Sequence, residues 1–302
     1  MEQPKNVTLI SSGLCSLLVD HGRPSARSLG VPQGGAADRF SLAIGNALVG
    51  NPPSTLALEM TLSGATVVSE VSLVCAISGA PFVVRLEGRS IAMNRPLLLQ
   101  PQQRLSIGGA REGARAYLCV RGGFQNHEVL GSQSSLIPLR NGTQLSCHFS
   151  NRLPQRFLSA NFDWCEDRHL IRILPGAQVD WFDRSLMNQS FQISPSSNRM
   201  GLRLDGGRFP PLDQEMTSEP VCPGTIQITR EGQPIILGVD GQTIGGYPKI
   251  AQVISADLDR LGQLRPGDEV RFEWVELATA ERLFAERERR LREWLTRLRV
   301  TE

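Results

Sequence analysis

The sequence predicts a mainly β protein: two barrel-like modules, a few short helices and an amphipathic helix at the C-terminal end. Three observations carry that expectation. Short runs rich in β-branched and aromatic residues recur along the chain, each bounded by turn residues. Glycine (29) and proline (19) fall between those runs, which favours many short strands over long helices. One pattern also appears twice, as L-Q-P-Q-Q-R-L-S-I at 99–107 and L-R-P-G-D-E-V-R-F at 264–272. A turn feeding an alternating strand near the end of each half points to two similar modules.

The expected strands of the first half include 66–68, 71–77, 82–86 and 116–120, with turns at Ser78-Gly79, Glu87-Gly88 and Gly108-Gly109. Those of the second half include 171–174, 225–228, 235–237 and 270–274, with turns at Pro175-Gly176, Glu231-Gly232 and Pro266-Gly267. Between Asp38 and Val49 the residues Phe40, Ala43, Ile44, Ala47 and Leu48 recur at helical spacing. Asp38 is a suitable N-cap, and Gly50-Asn51-Pro52 stops the helix. From Thr279 onward, Leu283, Phe284, Leu291, Trp294, Leu295 and Leu298 form an apolar stripe. Glu286–Arg290, Glu288–Arg292 and Glu293–Arg297 support it at i,i+4 spacing. This tail is expected to dock on its own chain or on a sister subunit.

A length of 302 residues suggests roughly two domains and can bury about 75% of the unfolded surface, so neither disulfide nor metal is needed to fold. The modules are expected at 1–165 and 166–276 and the tail helix at 277–302, with the boundary near Asn161–Arg168. The 32 Lys and Arg nearly cancel the 30 Asp and Glu, which argues against a nucleic-acid partner. The N-terminus carries an acid and a proline with no apolar run, unlike a secretory signal. No stretch approaches the roughly 20 apolar residues of a membrane span. Six scattered cysteines without a C-x-x-C read as free thiols of a reducing cytoplasm. Four scattered histidines form no metal-binding pair, so no metal is expected.

Neither a Walker loop, a dinucleotide fingerprint nor a nucleophile elbow is present. Three segments are more specialised than ordinary turns. Gly30-Val31-Pro32-Gln33-Gly34-Gly35-Ala36-Ala37-Asp38-Arg39 runs into the first helix. Backbone N–H groups at Gly34 and Gly35 would suit a carboxylate, phosphate or oxyanion, the plain alternative being a capped helix entrance. Arg199, beside the glycine of S-N-R-M-G-L-R, can clamp a carboxylate bidentately or tie down a local carbonyl. The densest segment is Asp240-Gly241-Gln242-Thr243-Ile244-Gly245-Gly246-Tyr247-Pro248-Lys249, between two apolar strands. It gathers an acid, an amide, a hydroxyl, a phenol and an ammonium on a glycine-rich loop, the kind of place where sites are built. Lys249 can stabilise negative charge on oxygen and Asp240 can take or orient a proton, while Gly245 and Gly246 allow close backbone approach.

Taken in order, these segments resemble the family of the 5-oxoprolinase C component, the KipI antagonist and allophanate hydrolase subunit 2, which includes a biotin-dependent carboxyltransferase domain found in urea amidolyase. The likeness runs from about Gly30 to Phe272. It is carried by G-V-P-Q-G-G-A-A-D-R-F-S (30–41), R-A-Y-L-C-V-R-G-G-F (115–124), V-L-G-S-Q-S-S (129–135), S-N-R-M-G-L-R-L-D-G (197–206), S-E-P-V-C-P-G-T-I-Q-I (218–228) and the stretch 232–258. The resemblance implies two cyclophilin-like barrels, and as partner a homologue of the 5-oxoprolinase B component (allophanate hydrolase subunit 1). It also implies one of three roles. The first is ATP-dependent opening of 5-oxoproline to glutamate with a third, LamB/YcsF-type subunit. The second is transfer of carboxyl from carboxybiotin on a partner to a urea-like amide. The third is non-catalytic binding, as in a KipI antagonist. On the hydrolase reading Asp240 handles protons, Lys249 and Tyr247 stabilise the oxyanion, and Gln242 joins them as a catalytic residue. Arg199, Gly34, Gly35, Asp38, Thr243, Gly245 and Gly246 hold the small-molecule substrate. The chain departs from the family pattern at Gly241, where the family loop carries arginine, and after Ser135, where a glycine-rich stretch is shortened.

Overall fold

The structure, a computed structural model, describes residues 5–148, 152–156, 158, 167–211 and 216–300. The chain divides into two compact units, one of Met1–Gly22, Gly34–Trp164 and Leu291–Glu302, the other of Arg23–Gln33 and Cys165–Arg290. The expected boundary at 161–168 lies largely outside the described residues, as does Cys165.

In the first unit the strands are β1 (Lys5–Ser11), β2 (Cys15–Val19), β3 (Ala57–Thr61), β4 (Thr66–Ser69), β5 (Leu73–Gly79) and β6 (Phe82–Leu86), with helix α1 (Arg39–Leu48) between β2 and β3. They continue with β7 (Arg89–Ile91), β8 (Leu97–Leu99), β9 (Arg104–Ala110), β10 (Arg115–Val120), β11 (Phe124–Gln125) and β12 (Gln144–Cys147). They form two sheets, ordered β11-β12-β1-β4-β9-β6-β7 and β2-β3-β10-β5-β8. Period-2 alternation explains the layering. On the five-stranded sheet, Leu18, Leu58, Met60, Cys75, Ile77, Ala116 and Leu118 face a core shared with Val7, Leu9, Val67, Val84 and Leu105 of the other sheet. Their neighbours Leu17, Val19, Ala57, Val74, Ala76, Tyr117 and Cys119 face the opposite way, onto α1 and the Leu291, Trp294, Leu295 and Leu298 stripe. Strands β5 and β10 are thus buried on both faces, which is why they read as unbroken apolar runs. Burial pushes the thiols of Cys75 and Cys147 up to about 12 and about 11, so both are inert.

Helix α1 begins as its sequence predicts. The Asp38 carboxylate accepts from Ser41 N at 2.9 Å and from the Ser41 hydroxyl at 2.6 Å. Asp38→Ala is therefore expected to cost about 1 kcal/mol, and at most about 2, in urea unfolding, with Asp38→Asn close to wild type. Equal midpoints for Asp38→Ala and wild type would rule out the cap.

The second unit contains β13 (Leu170–Pro175), β14 (Phe191–Ile193), β15 (Gly201–Asp205), β16 (Glu219–Pro220), β17 (Thr225–Ile228), β18 (Pro234–Leu237), β19 (Ile244–Gly245), β20 (Lys249–Val253) and β21 (Glu269–Trp274). Seven of them close a barrel in the order β13-β20-β17-β18-β15-β14-β21, with β13 and β21 parallel. Its interior holds Ile171, Ile173, Phe191, Leu204, Ile226, Ile236, Ile250 and Val270. The pair β16–β19 stands apart from the barrel wall. After the short helix α2 (Leu258–Leu261) comes the tail helix α3 (Leu277–Val300), and the division between units falls within it. Arg282–Glu286 and Arg287–Asp259 are among its ion pairs. The sheet of the second unit closes on itself, whereas the strands of the first stay in two sheets, the five-stranded one covered on its outer side by helices.

The internal repeat is realised in both units. Gln103 N bonds Gln100 O at 3.1 Å and Asp268 N bonds Arg265 O at 3.0 Å. In each turn the side chain of the last residue caps the amide of the first: Gln103 Oε1 accepts from Gln100 N, and Asp268 Oδ2 from Arg265 N. Strands β9 and β21 then begin at the next residue.

Candidate functional site

The second unit brings two of the three specialised segments together. Past β18, the turn 238–241 lies on the backbone of Arg199 and Met200, with Gly238 N to Met200 O at 2.9 Å and Asp240 N to Arg199 O at 3.2 Å. The Arg199 guanidinium grips Asp240 with both prongs, Nε to Oδ2 at 2.6 Å and Nη2 to Oδ1 at 3.0 Å. Both side chains are nearly buried, 10% and 13% exposed. Each is therefore the other's counter-ion, and the pair fixes the entry of the loop. A Cβ at Gly241 would lie 2.9 Å from the carbonyl oxygens of Gly238 and Met200. The turn is packed so tightly here that a side chain at 241, arginine included, would force the backbone apart.

The far end of the loop is built by β16 and β19, which pair Glu219 with Gly245 and Pro220 with Ile244. That pairing carries Glu219 to Lys249, whose Nζ lies 2.5 Å from Glu219 Oε2. Lys249 is 7% exposed, and Nζ has no further hydrogen-bond acceptor among the described residues. Gln178 holds the lysine backbone on both sides: its N donates to Lys249 O at 3.0 Å, and its Oε1 accepts from Lys249 N at 3.0 Å. Its Nε2 reaches Glu219 at 3.4 Å. The hydrogen bond and charge of Lys249 hold the Glu219 carboxyl below its ordinary value.

The rest of the loop is amide-lined. The Nε2 atoms of Gln227 and Gln242 would lie 2.5 and 2.8 Å from a Cβ at Gly245, so a side chain there would displace both amides. Gln227, buried, also donates to Tyr247 O at 3.3 Å. Thr243 O accepts from Val221 N at 2.9 Å. Gln242, Gly246 and Tyr247 are exposed. From the 3-10 turn Pro24–Leu29, Arg27 Nη2 donates to the carbonyls of Val221 and Gln242. Lys249, Glu219 and Gln178 thus form one polar cluster around a buried cation, and Gln227 and Gln242 flank Gly245 of the loop.

Gly34, Gly35 and Asp38 belong to the first unit. There the turn is closed on itself. Ala36 N donates to Asp20 O at 2.9 Å, Ala37 N to Glu59 Oε2 at 2.9 Å and Asp38 N to the Tyr117 hydroxyl at 2.8 Å. Tyr117 in turn donates to Glu59 at 2.8 Å, and Arg115 lies 3.4 Å from the same carboxylate. Gly34 and Gly35 are buried. A Cβ at Gly35 would come within 2.5 Å of Gly22 N. The amides following the glycines serve internal acceptors, and the Asp38 carboxylate serves the helix cap.

The first unit also holds a cleft of about 600 Å³ walled by His21, Phe124, Asn126, Glu128, Gln133 and His148. Asp20 at its edge organises one wall. Its carboxylate accepts from the Ser132 and Ser134 hydroxyls, each at 2.6 Å, from Gly22 N at 2.7 Å and from Gln133 N at 2.7 Å. Burial works to raise its pKa, but these hydrogen bonds outweigh it and the carboxyl is held below its ordinary value. A group with a depressed folded pKa stabilises the fold above its unfolded value, about 3.9, and loses that contribution as pH falls through the folded value. Asp20→Asn, which turns an amide N–H₂ toward these donors, is expected to cost about 1–3 kcal/mol at pH 7. In urea titrations the gap between wild type and Asp20→Asn should stay constant from pH 7 to about 5 and narrow below about 4. A gap unchanged at pH 3 would mean that the carboxylate charge does not matter.

Glu219, Gln178, Arg27 and Asp20 are not singled out in the sequence. Glu219 lies in the S-E-P-V run, but only the β16–β19 pairing reveals its contact with Lys249.

Two β units and an amide-lined glycine loop on a closed barrel define a domain of the carboxyltransferase type. Residues 29–274 match the family described as carboxyltransferase domain, subdomain A and B, and the chain belongs to that family. It is similar to the C component of 5-oxoprolinase from Escherichia coli (strain K12), 34% identical over 279 residues that take in 87% of this chain and 89% of the relative. Its structure resembles that of TTHA0988, with a TM-score of 0.81 at 31% identity, covering 90% of this chain and 56% of the other. It also resembles the Kluyveromyces lactis urea carboxylase, with a TM-score of 0.86 at 26% identity, covering 97% of this chain and 29% of the other. The chain therefore spans little more than half of the first solved chain and under a third of the second. Among the described residues no helix is long and apolar enough to cross a membrane.

Proposed function

We propose that this chain is the C component of an ATP-dependent 5-oxoprolinase, acting with a B-component (allophanate hydrolase subunit 1) homologue and a LamB/YcsF-type protein to open 5-oxoproline to glutamate. The carrying observation is co-extension: the chain and the Escherichia coli C component match over nearly the full length of both. The loop chemistry supports the reading. Attack on a lactam carbonyl builds negative charge on its oxygen, and preorganised donors in a water-poor site stabilise that charge. Lys249 offers the N–H bonds not taken by Glu219, and the exposed Tyr247 and Gln242 carry further donors on the same loop. Thr243 and the Gly245-Gly246 backbone border the same loop. Asp240, bonded through both oxygens to Arg199, suits loop positioning better than proton transfer. The half-exposed Glu219, in contact with Lys249, is the better proton carrier.

The described residues form no phosphate-binding loop of the Walker type. The run with phosphate-loop spacing, 108–113, is the end of β9 and its turn, and Gly108 O accepts from Gly64 N at 2.8 Å. ATP is therefore assigned to the assembled complex. A second reading, carboxyl transfer from biotin on a partner to a urea-like amide, is supported by the family match and by the likeness to the urea carboxylase. Co-expression of the three proteins tests both. Glutamate release from 5-oxoproline that requires ATP and all three proteins is the expected result. A stable complex with no release, together with avidin-detected biotin on a partner and carboxylation of urea, would replace the first reading by the second.

A further inference from the structure

Three cationic side chains reach the loop of the second unit, and they differ in one respect. Arg199 is neutralised by Asp240 and Lys249 by Glu219. Arg27 has no carboxylate partner among the described residues. Its Nη2 is pinned to two backbone carbonyls, Val221 and Gln242 (the latter at 3.4 Å), and its Nη1 is buried with no hydrogen-bond acceptor. A guanidinium cannot escape this by losing its proton, because it stays charged at any accessible pH. Leaving two of its N–H bonds out of water and unpaired is costly, more so for a charged group than for a neutral one. The two carbonyls hold the group still through Nη2 and leave Nη1 as the unpaired nitrogen. A fixed, unneutralised guanidinium edge is what an anionic oxygen requires.

We infer that Arg27 is the carboxylate-binding residue of the loop site and reads the substrate's carboxylate through Nη1. This rests on the reading of the site given under Proposed function and adds its specificity. 5-Oxoproline carries a carboxylate beside its lactam, whereas urea is neutral and cannot satisfy Arg27. The role expected of Arg199 thus falls to Arg27, because Arg199 already holds an internal carboxylate. Arg27 also explains how a loop with glycine at 241 obtains a guanidinium: the cation arrives from the turn Pro24–Leu29.

The test compares wild type with Arg27→Met and Arg27→Lys in the three-protein complex, using L-5-oxoproline and 2-pyrrolidinone, the same lactam without its carboxylate. Arg27→Met should raise KM for 5-oxoproline roughly 10- to 150-fold, the loss of one charged hydrogen bond, with kcat little changed. Arg27→Lys should fall between the two, and 2-pyrrolidinone should be handled equally by all three. An unchanged KM in an active complex overturns the inference and leaves the hydrolase reading standing. A second measurement needs no turnover. The full chain is melted in acetate, phosphate and chloride at matched ionic strength, with far-UV circular dichroism confirming that the variants fold. Acetate should raise the wild-type Tm more than chloride does, and the excess should vanish in Arg27→Met. Equal responses of the two proteins overturn the inference even if the complex is inactive. A response to phosphate alone overturns the carboxylate assignment.

Discussion

Lys249→Met is expected to lower ATP-dependent 5-oxoproline turnover by the assembled complex about 10²–10³-fold, the usual loss when one preorganised oxyanion donor is removed. The loss should appear in kcat, because the contact strengthens only as the carbonyl oxygen gains charge. Methionine keeps an unbranched apolar stem at the first residue of β20, so the barrel should remain intact. The substitution also removes the cation that holds Glu219 below its ordinary value, so the Glu219 carboxyl should titrate higher in the variant. NMR of the side-chain carboxyl checks that shift independently of turnover. Glu219→Gln makes the companion variant. It keeps the Lys249 cation as an oxyanion donor, while proton transfer by residue 219 is lost. Full turnover by Lys249→Met would remove Lys249 from the chemistry and leave the Lys249–Glu219 pair a structural contact.

Much of this architecture was legible in the sequence because local rules and tertiary packing agree. Strand β10 announces itself as an unbroken apolar run because both of its faces are covered. Helix α1 announces both its cap at Asp38 and its stop at Gly50. The repeated turn at 100–103 and 265–268 was visible because a side chain and a backbone amide three residues apart make the contact, and such motifs survive in sequence. The site was legible only in part. The glycine loop 240–249 stood out by composition, but its partners come from distant positions: Gln178, Glu219 and Arg27 lie 71, 30 and 222 residues from Lys249. No spacing rule reaches that far. Composition also could not say whether Arg199 and Asp240 face outward or each other, since an arginine and an aspartate read the same free or paired. At Gly34-Gly35, two glycines before a helix suggested open amides. For the amides that follow, of Ala37 and Asp38, the acceptors are Glu59 on β3 and Tyr117 on β10, from other strands, and nothing local reports them.

The Arg199–Asp240 pair carries the largest expected effect on stability. Removing one member of a nearly buried, bidentate pair leaves an uncompensated charge and typically costs about 3–5 kcal/mol. Arg199→Met and Asp240→Leu should each destabilise the second unit on that scale, read as a lower midpoint in calorimetry and urea unfolding. The double variant, in which both charges are gone and the volume is refilled, should recover most of the loss, because the cost of a stranded charge no longer applies. Arg199→Lys separates charge from geometry. Lysine keeps the charge but cannot supply two parallel N–H bonds, so it should restore part of the stability and not all of it. The turn 238–241 rests on this pair through Asp240 N and Arg199 O. Turnover should therefore fall in the single variants and return in part in the double, as expected of a pair whose role is to position the loop. If the double variant folded as stably as wild type yet had no activity, Arg199 or Asp240 would act on the substrate directly. If both single variants lay within about 1 kcal/mol of wild type, the pair would be no more than an ordinary surface salt bridge.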